Sequence, residues 1–328
     1  MITMKNQKEI ESKLDKYIAE SETVIQEIFA RILKMILESF TLSYVKYLKE
    51  DDPHITWTEF NKYNRYNKML DKMGDMLDDE FKQIKQEIKE TQQAVYLDGF
   101  MSHMYLIEQT SDIQMSFTLP DDKVIQKALN QPVEKINLDK TLEKHRNKVL
   151  ERIRVHTATG LMGGNSYDEI AETIKKDVGM TERQARLVAR TEGGRSQSQA
   201  QVDAEDVAKV NGARIKGYWD ATLDTRTRPS HAHHDGVEED KNGNFTVGLS
   251  TGKAPRLLVG VDSAKQNINC RCKKLYTVNG MKPQIRASRD KNNKTKQIPY
   301  VTYMDWYKER TGKEYPYKPN GKKKRRQS

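Results

Sequence analysis

The histidines and cysteines of this chain are concentrated in two short polar segments. Three of the seven histidines lie in 224–236, and both cysteines lie in 269–272. Alternating polarity over 268–278 predicts a strand, and residues two apart on a strand point to the same face. Two thiolates on one face, completed by imidazoles, would suit a tetrahedral zinc ion. The candidate ligands are His231, His233, Cys270 and Cys272.

The same residues have a second interpretation without a metal. Cys-x-Cys is shorter than the usual zinc spacer of about two to four residues. Both cysteines could be small buried side chains beside Tyr276 and Val278, with the histidines in a solvated loop. A disulfide is disfavoured, because the two Cα atoms of an extended strand would lie about 6.6 Å apart. We expect no cofactor, and zinc remains the open alternative.

Catalysis on a phosphodiester is a further chemistry that these segments could support. His231 or His233 would act as general base, and Arg226 or Arg228 would hold the phosphate. Such residues are common in any polar loop, so the expectation is that the protein is not an enzyme. A metal- or histidine-dependent, nuclease-like enzyme is the alternative.

The first two thirds of the chain are predicted to be helical. Apolar residues at three-, four- or seven-residue steps indicate long helices over 7–50 and from Thr56, where a capping box with Glu59 begins the helix, to about Val95. Shorter helices are predicted over 121–130 and 138–161. Capping boxes then begin helices at Ser166 and Thr181, and the second of these is interrupted by Gly193-Gly194 before a C-cap at 211–212.

At Arg214 the apolar period changes from helix to strand. Alternation over 215–223 and again over 268–278 predicts two strands around a loop-rich stretch. The expected fold class is α+β, with a mainly helical N-terminal body of long helices, a small α+β module and a basic, partly disordered tail. The predicted domains are a long-helix stalk or bundle (1–120), a second helical region (121–212), the module (213–278) and the tail (279–328).

The net charge of +10 is localised in the tail. Residues 279–328 hold 15 Lys and Arg against 4 Asp and Glu, whereas 1–278 hold 42 against 43. Basic residues release counterions from phosphates, and interleaved aromatic residues can stack on bases. We expect this tail to bind double-stranded DNA, the alternative being a solvated tail or a segment that docks on another protein. The interleaved aromatic residues are Tyr300, Tyr303, Trp306, Tyr307, Tyr315 and Tyr317, and the terminal basic run is Lys322, Lys323, Lys324, Arg325 and Arg326.

Composition excludes several classes of protein. Two cysteines in 328 residues exclude a fold built on disulfides, and the charged first 16 residues are unlike a signal peptide. The most apolar stretch, 25–40, contains four charged residues, so no membrane span is predicted. We expect a protein made in a reducing compartment.

The order of motifs over about 140–278 resembles the phage head morphogenesis family, the minor head proteins typified by protein F of Mu-like phages. The resemblance consists of Arg-Thr-Glu, then Asp-x-Arg-Thr-Arg-x-x-His, then Asp-Gly, and finally Asn-Cys-Arg-Cys. The matching positions are Arg190, Thr191, Glu192, Trp219, Asp224, Arg226, Thr227, Arg228, His231, Asp235, Gly236, Asn269, Cys270, Arg271 and Cys272.

The resemblance implies a low-copy structural protein of the virion that acts in head assembly. It would associate with the portal protein, with capsid or scaffold proteins and with the packaged DNA, and self-association is left open. It would be found in the virion interior, and in the host cytoplasm during assembly, and it would protect the DNA or be ejected with it. Some relatives carry an additional Cys-x-x-Cys where this chain has 225–228, which favours the expectation of no metal here.

The Arg190–Glu192 run and Arg195 either form surface ion pairs or pack against the module.

Overall fold

The computed structural model of the protein describes residues 5–46, 56–111, 113, 115–129, 138–280, 285–289, 295–299 and 301–315. Five long or medium helices make up most of the first two thirds, and short strands and helices follow. The helices are α1 (Lys5–Val45), α2 (Trp57–Asn61), a 3₁₀ turn (Lys62–Asn64), α3 (Arg65–Ser111), α4 (Asp122–Leu129), α5 (Leu138–Met162), α6 (Tyr167–Val210), α7 (Pro229–Ala232), α8 (Ser263–Asn267) and α9 (Tyr303–Thr311). The mainly helical body followed by a small α+β module confirms the predicted fold class.

Three small antiparallel sheets contain all the strands of the described residues. Strand β1 (Ile215–Asp220) pairs with β5 (Lys273–Val278), with Ile215 opposite Val278 and Asp220 opposite Lys273. A second sheet has the order β2 (Phe245–Val247), β3 (Ser250–Gly252) and β4 (Val259–Gly260). A third is a hairpin of β6 (Ile285–Arg289) and β7 (Thr295–Pro299), within the stretch predicted as tail.

The chain groups into two compact units that are each built from separated stretches. Unit 1 comprises Met1–Ile18, Thr91–Ile136 and Thr191–Ser328, and unit 2 comprises Ala19–Glu90 and Asn137–Arg190. The predicted division into four consecutive segments stays a prediction.

Unit 2 is a helical bundle around one apolar core. Segments of α1, α3, α5 and α6 all contribute to it, as does Phe60 of α2. Ile25, Ile32 and Ile36 are at most 1% exposed, as expected for the face of an amphipathic helix. At one end Phe40 stacks on Tyr167 at 5.4 Å between ring centroids.

Unit 1 contains the module and the helices that pack on it. Ala200, Ala204 and Ala208 of α6 recur every four residues and form one cluster with residues of α3, α4 and β5. Small side chains at this spacing let neighbouring elements approach the helix closely. A second cluster surrounds the fully buried Trp219 of β1 and includes Phe245, Cys270 and Cys272.

Two capping boxes predicted from the sequence are confirmed. Thr56 accepts from the backbone N–H of Glu59 at 3.3 Å, and the Glu59 carboxylate accepts from the backbone N–H of Thr56. Ser166 and Glu169 form the same reciprocal pair at the start of α6. Both sites satisfy N–H groups that a helix leaves unpaired at its start.

The predicted break of α6 is wrong, because α6 runs unbroken from Tyr167 to Val210. Thr181 does not cap a new helix, since its hydroxyl donates to the carbonyl of Asp177 one turn earlier. Nor does Gly193-Gly194 interrupt the helix. A Cβ on Gly193 would lie 2.8 Å from Ile18, so this glycine provides room for a neighbouring side chain.

The second predicted strand also begins later than expected. Strand β5 covers Lys273–Val278, and it is preceded by a turn at 268–269 and an irregular segment over 270–272. Asn269 has a φ of 54°, in the left-handed region, and the Cys270 N–H donates to the carbonyl of Asn267. Cys270 and Cys272 therefore lie between this turn and the strand, and not on the strand.

Residues 301–315 of the predicted tail are folded against the module. A helix, α9, spans Tyr303–Thr311, but the prediction that Tyr303 and Tyr315 are available for base stacking is wrong. Both are buried in the cluster around Trp219, and Tyr307 packs against it. Lys322, Lys323, Lys324, Arg325 and Arg326 lie outside the described residues. In the described part of the chain no helix has a stretch long and apolar enough to cross a membrane.

Candidate functional site

The candidate site lies where β1 and β5 end beside each other. Asp220, the last residue of β1, is opposite Lys273, the first residue of β5, so 221–223 and 270–272 continue side by side. The Thr222 hydroxyl donates to the Arg271 carbonyl at 2.9 Å, which holds the two extensions together. This pairing fixes the position of both cysteines.

Helix α7 brings His231 to the same place. Pro229 occupies its first turn, where a missing N–H has no consequence for the helix. Arg228, the preceding residue, donates to the backbone carbonyls of Gln266 and Ile268 and so ties α7 to the turn that follows α8. The His231 side chain is only 1% exposed as a result.

His231 and the two cysteines form a compact buried cluster. Nδ1 of His231 lies 3.3 Å from Sγ of Cys272 and 3.5 Å from Sγ of Cys270. In the part of the chain that the structure describes, these three residues are the one group of potential metal ligands that lie close together, with all ligand atoms within 4.8 Å of one another. The cluster, which we call the His–Cys–Cys cluster, unites three of the four predicted ligands.

The fourth predicted ligand, His233, is directed elsewhere. Its ring packs against Tyr315 at 5.7 Å between centroids. The neighbouring His234 packs edge-on against Trp219 and Phe245 instead. Burial lowers the pKa of His234 to about 4, with the His231 ring as a second cause, so His234 is neutral at pH 7.

Gln266 sets the orientation of His231, and sequence reasoning missed it. Gln266 Oε1 lies 2.9 Å from His231 Nε2, while Gln266 Nε2 donates to Asp262 Oδ2 at 2.7 Å. The amide therefore presents its oxygen to the ring, so Nε2 carries the proton and Nδ1 presents a lone pair to the sulfurs. The available signal was the Asp262–Gln266 spacing of four residues within a predicted loop.

The two thiols differ in acidity. A hydrogen bond from Cys272 is the largest effect on Cys270 and lowers its pKa well below the usual value, despite burial. Burial, followed by the nearby Cys270, raises the pKa of Cys272 well above that value. One thiol of the pair therefore loses its proton much more readily than the other.

The remaining motif residues of the module hold its loops in place. Asp224 pairs with the guanidinium of Arg271, with one N–O distance of 2.9 Å, and Arg226 lies at 3.6 Å from the same carboxylate. Burial opposes ionisation of Asp224, but the Arg271 hydrogen bond and charge hold its pKa below the usual value. Thr227 donates to the Thr222 carbonyl, which closes the loop.

Asp235 and Gly236 form the turn after α7. Asp235 accepts backbone N–H groups from Ala221 at 2.7 Å and Tyr303 at 2.5 Å. Gly236 has a φ of 76°, which favours glycine, and its N–H donates to the Trp219 carbonyl. These contacts leave Asp235 directed at backbone rather than at a substrate site.

The Arg-Thr-Glu run on α6 contributes to each unit separately. In unit 2, Arg190 binds the Glu22 carboxylate at 2.7 and 2.6 Å. In unit 1, Thr191 accepts from the backbone N–H of Asn269 at 3.1 Å. Buried Glu192 there binds Arg195 at 3.1 Å and Gln92 at 3.0 Å. Thr191 thus holds the turn that precedes the cysteines, as the packing alternative expected.

Comparison with known proteins identifies relatives of the chain. The sequence profile of a family described as "Phage Mu protein F like protein" matches residues 151–275. The chain is 31% identical to the minor head protein GP7 of Bacillus phage SPP1 over 307 residues, covering 93% of this chain and 97% of that protein. No solved structure matches at a significant level.

A second relative is a longer protein that is named as an enzyme. The chain is 35% identical over 213 residues to the NAD(+)--arginine ADP-ribosyltransferase EFV of Enterococcus faecalis. The match covers 65% of this chain but only 42% of that protein. The chain therefore spans less than half of this relative.

Proposed function

Because the chain belongs to the phage head morphogenesis family and is a phage minor head protein, we propose that it docks on the portal and contacts packaged DNA as a non-enzymatic part of the virion. The observation that carries this proposal is the 31% identity to a minor head protein across 97% of that protein's length. Mass spectrometry of purified particles before and after DNA release tests it. The protein is expected in full heads, and its absence from them would refute the proposal.

Docking on the portal is supported by an exposed apolar row on α3. Leu97 and Tyr105 are 40% and 64% exposed, and the half-buried Met101 lies between them. The spacing of four residues places all three on one helix face, which suits packing against a helix of a partner. Met101 also packs against the core of unit 1, whereas Leu97 and Tyr105 are the exposed members of the row.

Substitution in this row tests the docking proposal. The double variant Leu97→Glu/Tyr105→Glu should lose co-purification with the portal protein of the same phage. Lys82→Glu, at an exposed position on the same helix, should keep it. Equal retention by both variants would exclude this face as the docking surface.

Contact with DNA is supported by the charge of the last residues. Residues 316–328 contain six basic and no acidic residues, five of the six being 322–326. Since Tyr303 and Tyr315 are buried in the module, deletion should begin after Tyr315 so that the fold is preserved. The chain ending at Tyr315 should bind duplex DNA much more weakly, with a smaller dependence on salt.

The salt dependence distinguishes charge loss from misfolding. A full-length variant with 322–326 changed to glutamine should show the same loss, and each lost phosphate contact should reduce the log–log salt slope by about 0.9. DNA binding that is equal in the full chain and both variants would contradict a DNA-binding tail.

The absence of enzymatic activity is supported by how the candidate catalytic residues are used. His231 is buried with both ring nitrogens engaged, and Arg228 donates to two backbone carbonyls. A general base must reach a substrate proton, and the buried His231 side chain does not face solvent. We expect no cleavage of DNA in the presence of Mg²⁺ or Mn²⁺ and no consumption of NAD⁺. Turnover that disappears in His231→Gln would overturn this.

A further inference from the structure

The two thiols of the His–Cys–Cys cluster cannot both donate a hydrogen bond to the single lone pair of the His231 imidazole. His231, Cys270 and Cys272 are 1%, 7% and 3% exposed, so water does not solvate them freely. A neutral imidazole offers one lone pair, here on Nδ1, and both sulfurs lie within 3.5 Å of it. One thiol can donate to that lone pair and the other only to the neighbouring sulfur, whereas a metal ion would engage the nitrogen and both sulfurs at once.

The spacing of these atoms matches the ligands of a tetrahedral ion. Zinc–sulfur bonds of about 2.3 Å and zinc–nitrogen bonds of about 2.0–2.1 Å place nitrogen and sulfur ligands about 3.6 Å apart. The two Nδ1–Sγ distances are 3.3 and 3.5 Å. Only small side-chain shifts would be needed to admit the ion.

The surroundings of the cluster are those of a metal-binding histidine. Metal-bound imidazoles usually donate their second N–H to a polar acceptor that fixes the ring. Gln266 accepts from Nε2 at 2.9 Å, and Asp262 in turn holds the Gln266 amide at 2.7 Å. The backbone N–H of Thr222 is directed at the Cys272 sulfur, as is common for coordinated thiolates.

We propose that His231 Nδ1, Cys270 Sγ and Cys272 Sγ bind one zinc ion, with a small donor such as water at the fourth position. Binding replaces the two thiol protons, which leave to solvent, and two thiolates neutralise the divalent charge in the buried pocket. Thiolate and imidazole together select zinc over hard cations such as Mg²⁺ or Ca²⁺. The ion would link α7 to the stretch before β5, two segments about 40 residues apart.

The test is made on the full-length protein, purified without an affinity tag under reducing conditions and dialysed against zinc. Elemental analysis should give about one zinc per chain, and cobalt substitution should give a thiolate-to-cobalt charge-transfer absorption. Cys270→Ser/Cys272→Ser should lose both signals. His233→Asn is the matched control, since His233 lies in the same loop but outside the cluster, and it should retain both.

A second measurement applies to the unaltered protein, in case the cysteine variant does not fold. X-ray absorption at the zinc edge should show two sulfur ligands per zinc, and chelation should lower the melting temperature and expose both thiols to a thiol reagent. A folded, zinc-free protein with two reactive thiols after zinc dialysis would overturn the proposal. So would a disulfide in the reduced preparation, or zinc retained with no sulfur ligand.

Discussion

Asp235 accepts a hydrogen bond from the backbone N–H of Tyr303 at 2.5 Å, across 68 residues of sequence. Its other oxygen accepts from the N–H of Ala221 at 2.7 Å. One carboxylate therefore joins the end of β1 to the start of α9. The Asp-Gly motif thereby connects the module to a segment that composition alone assigns to the basic tail.

Removing this carboxylate should release α9 from the module. Asp235→Ala loses two hydrogen bonds to a charged acceptor and should destabilise unit 1 by about 3 kcal/mol. Amide hydrogen exchange should show faster exchange in 303–315. Glu309→Ala, at an exposed position on the same helix, should leave exchange in that segment unchanged. Equal protection in both variants would show that Asp235 is not the anchor.

Two glycines of α6 should respond to alanine in opposite directions. A Cβ on Gly193 would lie 2.8 Å from Ile18, so Gly193→Ala should lower stability by about 1–3 kcal/mol through overpacking. Gly179 has no atom within 4 Å of an added Cβ, so Gly179→Ala should raise stability by up to about 1 kcal/mol. Urea unfolding measures both. A neutral effect at Gly193 would mean that Ile18 repacks freely.

Replacing Lys274 alone should lower the stability of the protein, because Lys274 forms buried ion pairs with two glutamates. Lys274 lies 2.7 Å from Glu205 and 2.8 Å from Glu239, and the lysine side chain is 2% exposed. Lys274→Met leaves the two buried carboxylates with only the more distant Lys209, at 3.9 and 3.8 Å, as a counter-charge and should cost about 3–5 kcal/mol of unfolding free energy.

The matched control for this pair lies at the surface of the same unit. Lys253 and Asp206 are also close, at 2.6 Å, but both side chains are nearly half exposed. Lys253→Met should therefore cost less than about 1 kcal/mol. Equal costs for the two substitutions would contradict the importance of burial.

His103 should make unit 1 less stable in mild acid. Burial lowers its pKa to about 4, and the nearby Glu11 offsets this only in part. The folded state therefore binds fewer protons than the unfolded state between about pH 6.5 and pH 4. The contribution of neutral His103 to the free energy of unfolding is fully present above pH 6.5 and is lost as the pH falls toward 4. The free energy of unfolding should fall by about 2 kcal/mol between pH 7 and pH 5 for this reason.

Unfolding at several pH values tests this dependence. His103→Gln keeps a polar partner for the Tyr276 hydroxyl, which lies 3.0 Å from Nδ1, but removes the titrating group. Its free energy of unfolding should fall less between pH 7 and pH 5 than that of the unaltered chain. Parallel curves for the two proteins would contradict a depressed pKa at His103.

Much of the helical architecture is predictable because it follows from local patterns. The apolar period and the boxes at Thr56 and Ser166 describe interactions within a few residues, and the structure contains them. The continuity of α6 was not predictable in this way. Gly193 leaves room for the side chain of Ile18, which is distant in sequence. Local patterns do not show this contact, so they predict a helix break at the pair of glycines.

The candidate site was predictable in its residue types but only partly in its geometry. Only the zinc alternative brought His231, Cys270 and Cys272 together, and the structure does place them close to one another. Alternating polarity placed the cysteines on a strand, whereas the left-handed Asn269 and its contact with Thr191 make a turn just before them. Gln266 was missed because its four-residue spacing from Asp262 does not by itself distinguish an amide that orients a histidine from one in a solvated loop.

The ion pairs of Lys273 with α1 have a consequence for the order in which the protein can fold during synthesis. Lys273 binds Asp15 at 2.7 Å across 258 residues, and it also binds Glu11 at 2.8 Å. At a translation rate of about 5–20 residues per second, Lys273 is synthesised roughly 13–50 s after the first turns of α1. All residues of unit 2 have been synthesised once the ribosome has reached Arg190. The helical bundle can therefore assemble on the ribosome while unit 1 is still incomplete.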